Sequence, residues 1–181
     1  MSNTPLETKI KSVIRELPDY PKKGVNFKDI TPILADPDLC REIVESIVER
    51  YKDNPPEAIL AIESRGFTFG ALLAEHFHIP LVMARKAGKL PPDTISEEFD
   101  LEYGSAIVEV HTHAFKPGQK VMIHDDLLAT GGTANATAKL VERLDAKVHS
   151  FTFLIQLDFL PGESVLQHYG GDIHSLVHYD N

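Results

Sequence analysis

The chain has 181 residues and a formal net charge of −9 at pH 7. That length suits one domain with a substantial core, and the acidic balance argues against a general nucleic-acid binder. A single cysteine, the lack of a signal peptide and the lack of an apolar run of membrane length predict a cytoplasmic protein without a membrane partner.

Apolar residues at helical spacing predict a first helix from Leu6 to Leu17 that ends before Pro18. Residues 18–32 follow and contain three prolines and a glycine, which argues against regular structure. Tyr20 and Phe27 are nevertheless too apolar for a solvated linker. We therefore expect the segment to pack as an ordered cap; its residues alone leave Phe27 as an ordinary core residue and say nothing about a ligand.

A second amphipathic helix is predicted to begin at residues 36–38 and to end at 54–56. Residues 58–62 form a continuous apolar run, which is typical of a central parallel strand covered on both faces. The turn Glu63-Ser64-Arg65-Gly66 comes next, before a helix predicted from 67 to 77. A cation and a glycine thus lie where a buried strand meets a helix.

A short strand is predicted at 81–84, and the cations Arg85, Lys86 and Lys89 follow it closely. On an acidic chain such a cluster is either a solvated charge run or an anion site. Residues 92–100 are polar and acidic, and 106–111 has the pattern of a strand. We predict that a flexible loop at about 92–105 closes over a site as a lid.

The strongest motif begins after the apolar run 121–123, where Asp125 and Asp126 precede Ala129-Thr130-Gly131-Gly132-Thr133 and a helix predicted at 134–144. Loop amides and the first helical N–H groups would converge on one point, which predicts a phosphate site. The acids would repel a bare phosphate, so we expect a phosphorylated sugar. The loop lacks the lysine of a Walker motif. The alternative is an ordinary strand–helix turn with solvated acids.

Strands predicted at 147–157 and 176–179 complete an α/β fold with a mostly parallel central sheet flanked by helices. Ligand loops should then lie at the carboxyl ends of the strands. The pairs His76/His78 and His111/His113 lack further ligands at zinc-like spacing, so we predict no zinc site.

The run DDLLATGGT resembles the phosphoribosyl-pyrophosphate (PRPP) signature of type I phosphoribosyltransferases, with His124 at a position that is usually apolar. LLAT and the segment PDYPKKGVNFKDITP resemble the adenine branch of that family, with Lys28 where arginine is usual. ESRGF, ARKAGKLP and LEYG match its remaining segments, although Ala87 stands where some members have arginine. These matches extend from about Ile14 to Ile155.

The resemblance implies a single phosphoribosyltransferase domain over residues 1–181. Its parts would be an N-terminal hood at about 1–35, a flexible lid loop at about 92–105 and a PRPP loop at 121–134. The implied activity is purine salvage, in which adenine and PRPP give AMP and pyrophosphate. The implied cofactor is Mg²⁺, carried by PRPP near Asp125 and Asp126 without a protein-only metal site. A homodimer is also implied.

The resemblance further assigns roles to individual residues. Arg65 and Glu102 are the catalytic candidates, and Tyr103 belongs to the lid. The residues assigned to adenine are Val25, Phe27, Lys28 and Leu128; those assigned to ribose and 5′-phosphate are Asp125, Asp126, Ala129, Thr130, Gly131, Gly132 and Thr133; those assigned to pyrophosphate are Ser64, Arg65, Gly66, Arg85, Lys86 and Lys89.

Two alternatives remain open at this point. A phosphoribosyltransferase for another purine base would share the PRPP loop but should not share the hood segment. A regulator that senses PRPP and binds nucleic acid would have the same fold, but it would need a basic face or a further DNA-binding domain.

Overall fold

The computed structural model describes residues 5–100 and 105–180. The strands are β1 (Arg15–Leu17), β2 (Phe27–Asp29), β3 (Ala58–Ile62), β4 (Leu81–Lys86), β5 (Thr94–Asp100), β6 (Ser105–His111), β7 (Lys120–Leu128), β8 (Lys147–Leu157) and β9 (Asp172–Tyr179). The helices are α1 (Pro5–Val13), α2 (Thr31–Leu34), α3 (Pro37–Tyr51), α4 (Gly66–Phe77), α5 (Gly132–Arg143) and α6 (Gly162–Leu166), and a 3-10 turn covers Gln167–Tyr169.

A seven-stranded sheet in the order β5-β6-β4-β3-β7-β8-β9 forms the centre of the molecule. The five strands from β4 to β9 in that order are parallel, and β5 and β6 add an antiparallel edge. Every residue of β3 is buried, and β3 pairs in parallel with β4 and β7. The predicted α/β fold with a mostly parallel sheet is confirmed.

Helices cover both faces of the parallel part of the sheet. Ile123 of β7 belongs to a core cluster that includes Leu140 of α5, whereas its neighbour Met122 belongs to a cluster with Ile47 of α3 and Leu73 of α4. This division follows from the alternation of side chains along a strand. In the described part of the chain, none of the helices has the length and apolarity needed to cross a bilayer.

The N-terminal region differs from the sequence prediction. The first helix ends at Val13, because residues 15–17 form β1 and pair antiparallel with β2. The expectation of no regular structure in residues 18–32 was therefore wrong for β2 and α2. Cross-strand ion pairs explain the pairing: Arg15 Nη2 lies 2.6 Å from Asp29 Oδ2, and Lys28 Nζ lies 2.8 Å from Glu16 Oε2.

Two further segments are more regular than predicted. Strand β7 continues through the acids to Leu128, because Asp125, Leu127 and Leu128 remain in register with β8. Half of the predicted flexible loop, residues 94–100, is strand β5, which pairs antiparallel with β6. Glu97 of β5 also accepts hydrogen bonds from Lys139 and Arg143 of α5, at 3.0 and 3.1 Å. The lid role itself stays a prediction.

Candidate functional site

The candidate site lies where β3 and β7, which are neighbours in the sheet, end at the same edge. The turn after β3 contains a cis peptide between Glu63 and Ser64 and leads into α4 at Gly66. A Cβ on Gly66 would stand 2.8 Å from the His124 carbonyl oxygen and 3.0 Å from Asp125 Oδ1. Only glycine therefore allows this turn to lie directly on the acidic end of β7.

Arg65 extends from this turn to Asp126. Its Nε lies 2.9 Å from Asp126 Oδ2, and the Asp126 side chain is only 5% exposed. This contact is an ion pair whose angles do not meet the requirements of a hydrogen bond. Neither Asp126 Oδ2 nor Arg65 Nη1 has a hydrogen-bond partner among residues 5–100 and 105–180. A buried oxygen and a buried N–H group are thus left with bonding capacity that a ligand could use.

The acid pair carries more negative charge than its surroundings balance. Burial raises the pKa of Asp125 well above its ordinary value, and the neighbouring Asp126 charge raises it further. Burial also raises the pKa of Asp126, although Arg65 opposes that shift. Hydroxyl donors or a divalent cation at the pair would favour the charged carboxylates.

These carboxylates fit a metal only if the metal brings other ligands with it. The described residues contain no group of three or more His, Cys, Asp or Glu side chains that could hold an ion. Two carboxylates, one with a buried oxygen that accepts no hydrogen bond from the described residues, suit a hard cation such as Mg²⁺, which commonly binds one or two carboxylates together with substrate phosphates.

The loop after β7 forms a cavity in front of α5. Asp125, Phe153 and the whole of residues 127–134 line it. Gly131 has φ +81° and immediately precedes α5, so a residue with a left-handed backbone directs the first helical N–H groups towards the cavity. This geometry suits a phosphate group.

Helix α6 supports the loop from behind, which the sequence did not predict. A Cβ on Gly162 would stand 2.3 Å from the Ala129 carbonyl oxygen and 2.8 Å from Leu128 Cδ1. Leu128 itself is almost wholly buried, although it contributes to the lining of the loop cavity. Gly162 therefore allows the close packing that holds the loop.

The hood reaches the same site from the N-terminal side. The Phe27 ring packs edge-on against Tyr20, with 5.3 Å between centroids, and the Arg65 guanidinium carbon lies 5.0 Å from the Phe27 centroid. Val25 is part of the hood turn, because its carbonyl accepts a hydrogen bond from the Tyr20 N–H at 3.1 Å. The structure thus places Phe27 next to the arginine that contacts Asp126.

The cationic segment, which begins with the last two residues of β4 and continues to Lys89, is held by half-buried Glu63 and buried Glu109. Glu63 Oε2 accepts a hydrogen bond from the Lys86 N–H at 2.9 Å and a weaker one from Arg85 Nε at 3.3 Å. Glu109 Oε1 accepts from the backbone N–H groups of Lys89 and Leu90 at 3.2 and 3.1 Å, and Glu109 is only 6% exposed.

One cleft joins the cationic segment to the phosphate loop. It is lined by Glu63, Arg85, Lys86, Asp125 and Thr133, among others. Two residues predicted for pyrophosphate, Arg85 and Lys86, therefore face a common space with Asp125 and Thr133 from the set predicted for ribose and 5′-phosphate. Glu102 and Tyr103, which the sequence assigned to catalysis and to the lid, lie outside the described residues.

Comparison with known proteins agrees with this geometry. A family model described as "Phosphoribosyl transferase domain" matches residues 27–164. The chain is also 49% identical over 174 residues to the adenine phosphoribosyltransferase of Cytophaga hutchinsonii, with 96% of each chain covered. The chain belongs to the adenine phosphoribosyltransferase family.

Solved adenine phosphoribosyltransferases have the same fold. The enzyme of Thermoanaerobacter pseudethanolicus is 48% identical with a TM-score of 0.91, covering 95% of this chain and 99% of that one. The Saccharomyces cerevisiae enzyme, solved with an altritol-derived imino bisphosphate and adenine, is 34% identical with a TM-score of 0.88, covering 94% of this chain and 98% of that one.

Three residues that support this adenine phosphoribosyltransferase site were missed in the sequence. Glu63 and Glu109 hold the cationic segment, and Gly162 supports the phosphate loop. A glutamate inside the apolar strand β6 was a visible signal for Glu109, because a buried carboxylate needs partners. The short motif around Gly162 gave no signal beyond a turn.

Proposed function

We propose that this adenine phosphoribosyltransferase transfers the 5-phosphoribosyl group of PRPP to N9 of adenine, giving AMP and pyrophosphate for purine salvage. The observation that carries the proposal is the position of Arg65, 5.0 Å from the Phe27 ring centroid and 2.9 Å from Asp126. A base stacked on Phe27 would therefore lie beside a sugar held by the acids. The names of the relatives and the adenine bound to the yeast enzyme support the choice of base.

Adenine would bind through its face and one edge. Phe27 stacks on the base, since a flat apolar ring gains affinity from stacking and from burial of its area. Val25 and Lys28 contribute backbone groups to the edge, and Leu128 contributes to the apolar wall. The Lys28 side chain leaves the base free of a direct charge, because it is directed to Glu16 on the far side of the strand.

The phosphoribosyl group would be held at the end of β7. The amides and hydroxyls of residues 129–133 bind the 5′-phosphate, and Asp125 and Asp126 bind the ribose hydroxyls. Both carboxylates then lie close to the anomeric carbon, where negative charge stabilises the oxocarbenium character that develops as pyrophosphate departs.

The leaving pyrophosphate would be bound from the other side of the cleft. The groups proposed for it are Arg65, the Ser64 and Gly66 amides, Arg85, Lys86 and Lys89. Bound Mg²⁺, carried by PRPP near Asp125 and Asp126, would offset part of the pyrophosphate charge. As the bond to pyrophosphate breaks, N9 bonds to the anomeric carbon and the adenine ring loses its N7–H proton. Glu102, the proposed acidic residue near N7, would accept that proton as a carboxylate, with Tyr103 covering the site.

Alignment of two substrates should be the largest contribution to the rate. Holding reactants in line contributes on the order of 7–11 kcal/mol, whereas one well-placed charge-stabilising donor contributes about 3–4 kcal/mol. The residues that fix the geometry of PRPP should therefore contribute more to the rate than Glu102, the one acidic residue proposed to lie next to adenine.

An exposed apolar face beside the cationic segment supports a homodimer. Leu81 and Met83 are on one face of β4 and are 37% and 44% exposed, and Arg85 follows them on that face. A second copy covering this face would lie next to the pyrophosphate groups. Met83→Asp should shift sedimentation equilibrium towards the monomer, whereas Phe159→Asp, at another exposed apolar residue, should not.

A cytoplasmic location suits the small charged substrates and the single cysteine.

The test of the activity is product formation from PRPP and Mg²⁺ with adenine, hypoxanthine, guanine and xanthine offered separately. We expect AMP from adenine alone, detected by chromatography. Turnover of another base would retain the reaction but overturn the role of Phe27 in base choice. PRPP binding without any turnover would favour the sensing regulator, whose further test is salt-dependent binding to DNA or RNA.

A further inference from the structure

The hood strand β2 has a different environment on each face. Side chains alternate along a strand, so Phe27 and Asp29 lie on one face and Lys28 on the other. Phe27 is directed to the site, as its contact with Arg65 shows. Lys28 is directed away from the site, towards β1 and β9.

The Lys28 side chain is almost fully buried, with 3% of it exposed, and has two partners. Its Nζ lies 2.8 Å from Glu16 Oε2, and Glu16 is directly opposite Lys28 in the β1–β2 register. The same Nζ lies 3.9 Å from the centroid of the Tyr179 ring. Asn26 completes the arrangement by donating a hydrogen bond to Glu16 Oε2 at 2.7 Å.

Burial of an ammonium group is unfavourable unless its charge is compensated. Lys28 has a carboxylate on one side and the face of an aromatic ring on the other, which is a favourable cation–π position. The ion pair and the ring contact both require a particular position of the Lys28 ammonium. Together they therefore favour one placement of β2 relative to β1 and β9. An apolar side chain at this position would fill the space without fixing that placement.

The partner Tyr179 belongs to the last strand of the central sheet. Strand β9 is paired in parallel with β8 and is therefore part of the seven-stranded sheet. The hood ribbon, by contrast, is a separate two-stranded sheet. Lys28 thus links a small ribbon to the large sheet at the residue next to Phe27.

We propose that Lys28 is a positioning residue for the adenine site: its ammonium, held between Glu16 and Tyr179, fixes the hood strand so that Phe27 is placed to stack on the base. The inference rests on the proposed function, because it takes adenine to bind on Phe27. Lys28 acts here through its side chain and without touching the substrate, in addition to any backbone contact with the base.

The first variant to measure is Lys28→Met, which keeps the length of the side chain and removes its charge. We expect the KM for adenine at saturating PRPP to rise about five- to twentyfold, because a cation–π contact and a compensated ion pair are lost. The kcat and the KM for PRPP should change much less, since the phosphate loop and the acids are on other elements. Lys28→Arg should restore most of the lost affinity for adenine.

Variants of the partner ring test the same link without changing β2. Tyr179→Leu should raise the KM for adenine, as Lys28→Met does, because the aromatic ring is lost. Tyr179→Phe keeps the ring and should leave this KM unchanged. The two effects should be less than additive in the double variant Lys28→Met/Tyr179→Leu. Lys11→Met is the matched control and should leave the KM for adenine unchanged. Lys11 Nζ lies 5.2 Å from the centroid of the same ring, but Lys11 is in α1 and not in the hood strand.

Hydrogen exchange of residues 18–29 provides a second readout that does not depend on activity. Lys28→Met should exchange faster in this segment, with unchanged exchange in α5. Unchanged adenine KM and unchanged hood exchange in Lys28→Met would overturn the inference, as would an equal rise in the KM for PRPP. Failure of the parent protein to use adenine would instead contradict the proposed function, and the exchange result would still stand.

Discussion

Arg65 Nε and Asp126 Oδ2 lie 2.9 Å apart and link the turn after β3 to the end of β7. The same guanidinium is 5.0 Å from the Phe27 ring centroid, so one side chain contacts both the hood and the acid pair. Elements that are distant in sequence thus meet at one arginine.

This relationship predicts an order of importance among three residues. Arg65→Ala and Asp126→Ala should each reduce kcat/KM by about 100- to 1,000-fold, because each removes a group that we propose to fix and stabilise the reacting sugar phosphate. Glu102→Gln should cost less. Steady-state rates with adenine and PRPP measure all three, and an equal or larger loss for Glu102→Gln would contradict the ranking.

Gly162→Ala should weaken PRPP binding although residue 162 lies outside the predicted loop. Its Cβ would stand 2.3 Å from the Ala129 carbonyl oxygen, so the phosphate loop must shift. We expect the KM for PRPP to rise about ten- to hundredfold. The free energy of unfolding should also fall by about 1–3 kcal/mol.

Gly118→Ala is the matched control for that variant. A Cβ on Gly118 would meet nothing within 4 Å, but φ is +77° there, so alanine should cost about 1–2 kcal/mol of backbone strain. Its stability should therefore fall by a similar amount while the KM for PRPP stays unchanged. If both variants raised the KM equally, lost stability and not loop displacement would be the cause.

Glu109→Ala should disturb the cationic segment, because it removes the acceptor of the Leu90 N–H and one of two acceptors of the Lys89 N–H, which also bonds the Lys86 carbonyl. A hydrogen bond to a charged group contributes about 1.5–3 kcal/mol, so the segment should rearrange, and product inhibition by pyrophosphate should weaken about tenfold. Inhibition constants measured against PRPP provide the test. Glu45→Ala, which changes an exposed carboxylate on α3, should leave them unchanged; equal effects would refute the role given to Glu109.

His124 should make the protein less stable as the pH falls. The ring is fully buried, its Nδ1 lies 2.9 Å from Thr152 Oγ1, and burial lowers the pKa of His124 to about 4 from an ordinary 6.5. The unfolded chain therefore binds a proton at higher pH than the folded chain does. The stability due to neutral His124 is complete above pH 6.5 and is lost between pH 6.5 and 4.

The measurement is denaturant unfolding of the parent and of His124→Val between pH 7 and 4.5. We expect the parent to lose about 2 kcal/mol over this range through His124 alone, and the variant to lack that component. The comparison uses the change with pH, so any constant cost of the substitution cancels. Parallel curves for the two proteins would contradict the lowered pKa.

The sequence predicted those parts of the fold that short-range patterns determine. The apolar run at 58–62 indicated a central strand, and the Thr/Gly-rich loop at 129–133 indicated the start of a helix; the structure has both. A run buried on both faces and a glycine before a helix are recognisable without knowledge of the rest of the chain.

Features that depend on distant partners were not predictable in the same way. Strand β1 was taken for helix, because its pairing depends on contacts with β2 across a long turn. The role of Gly162 depends on the approach of α6 to Ala129, and that of Glu109 on backbone groups in another segment. No local pattern encodes such contacts.

The proposed adenine site of this chain therefore depends on residues outside the hood segment that contains Phe27. Phe27, the ring that we propose to stack on adenine, is within the family match at 27–164, but Lys28 on the same strand contacts Glu16 and Tyr179, which lie on either side of that match. A chimera that received only residues 18–32 from a relative would combine the hood of that relative with Glu16 and Tyr179 of this chain. Transplanting base preference between relatives would require residues from both ends of the chain to move together.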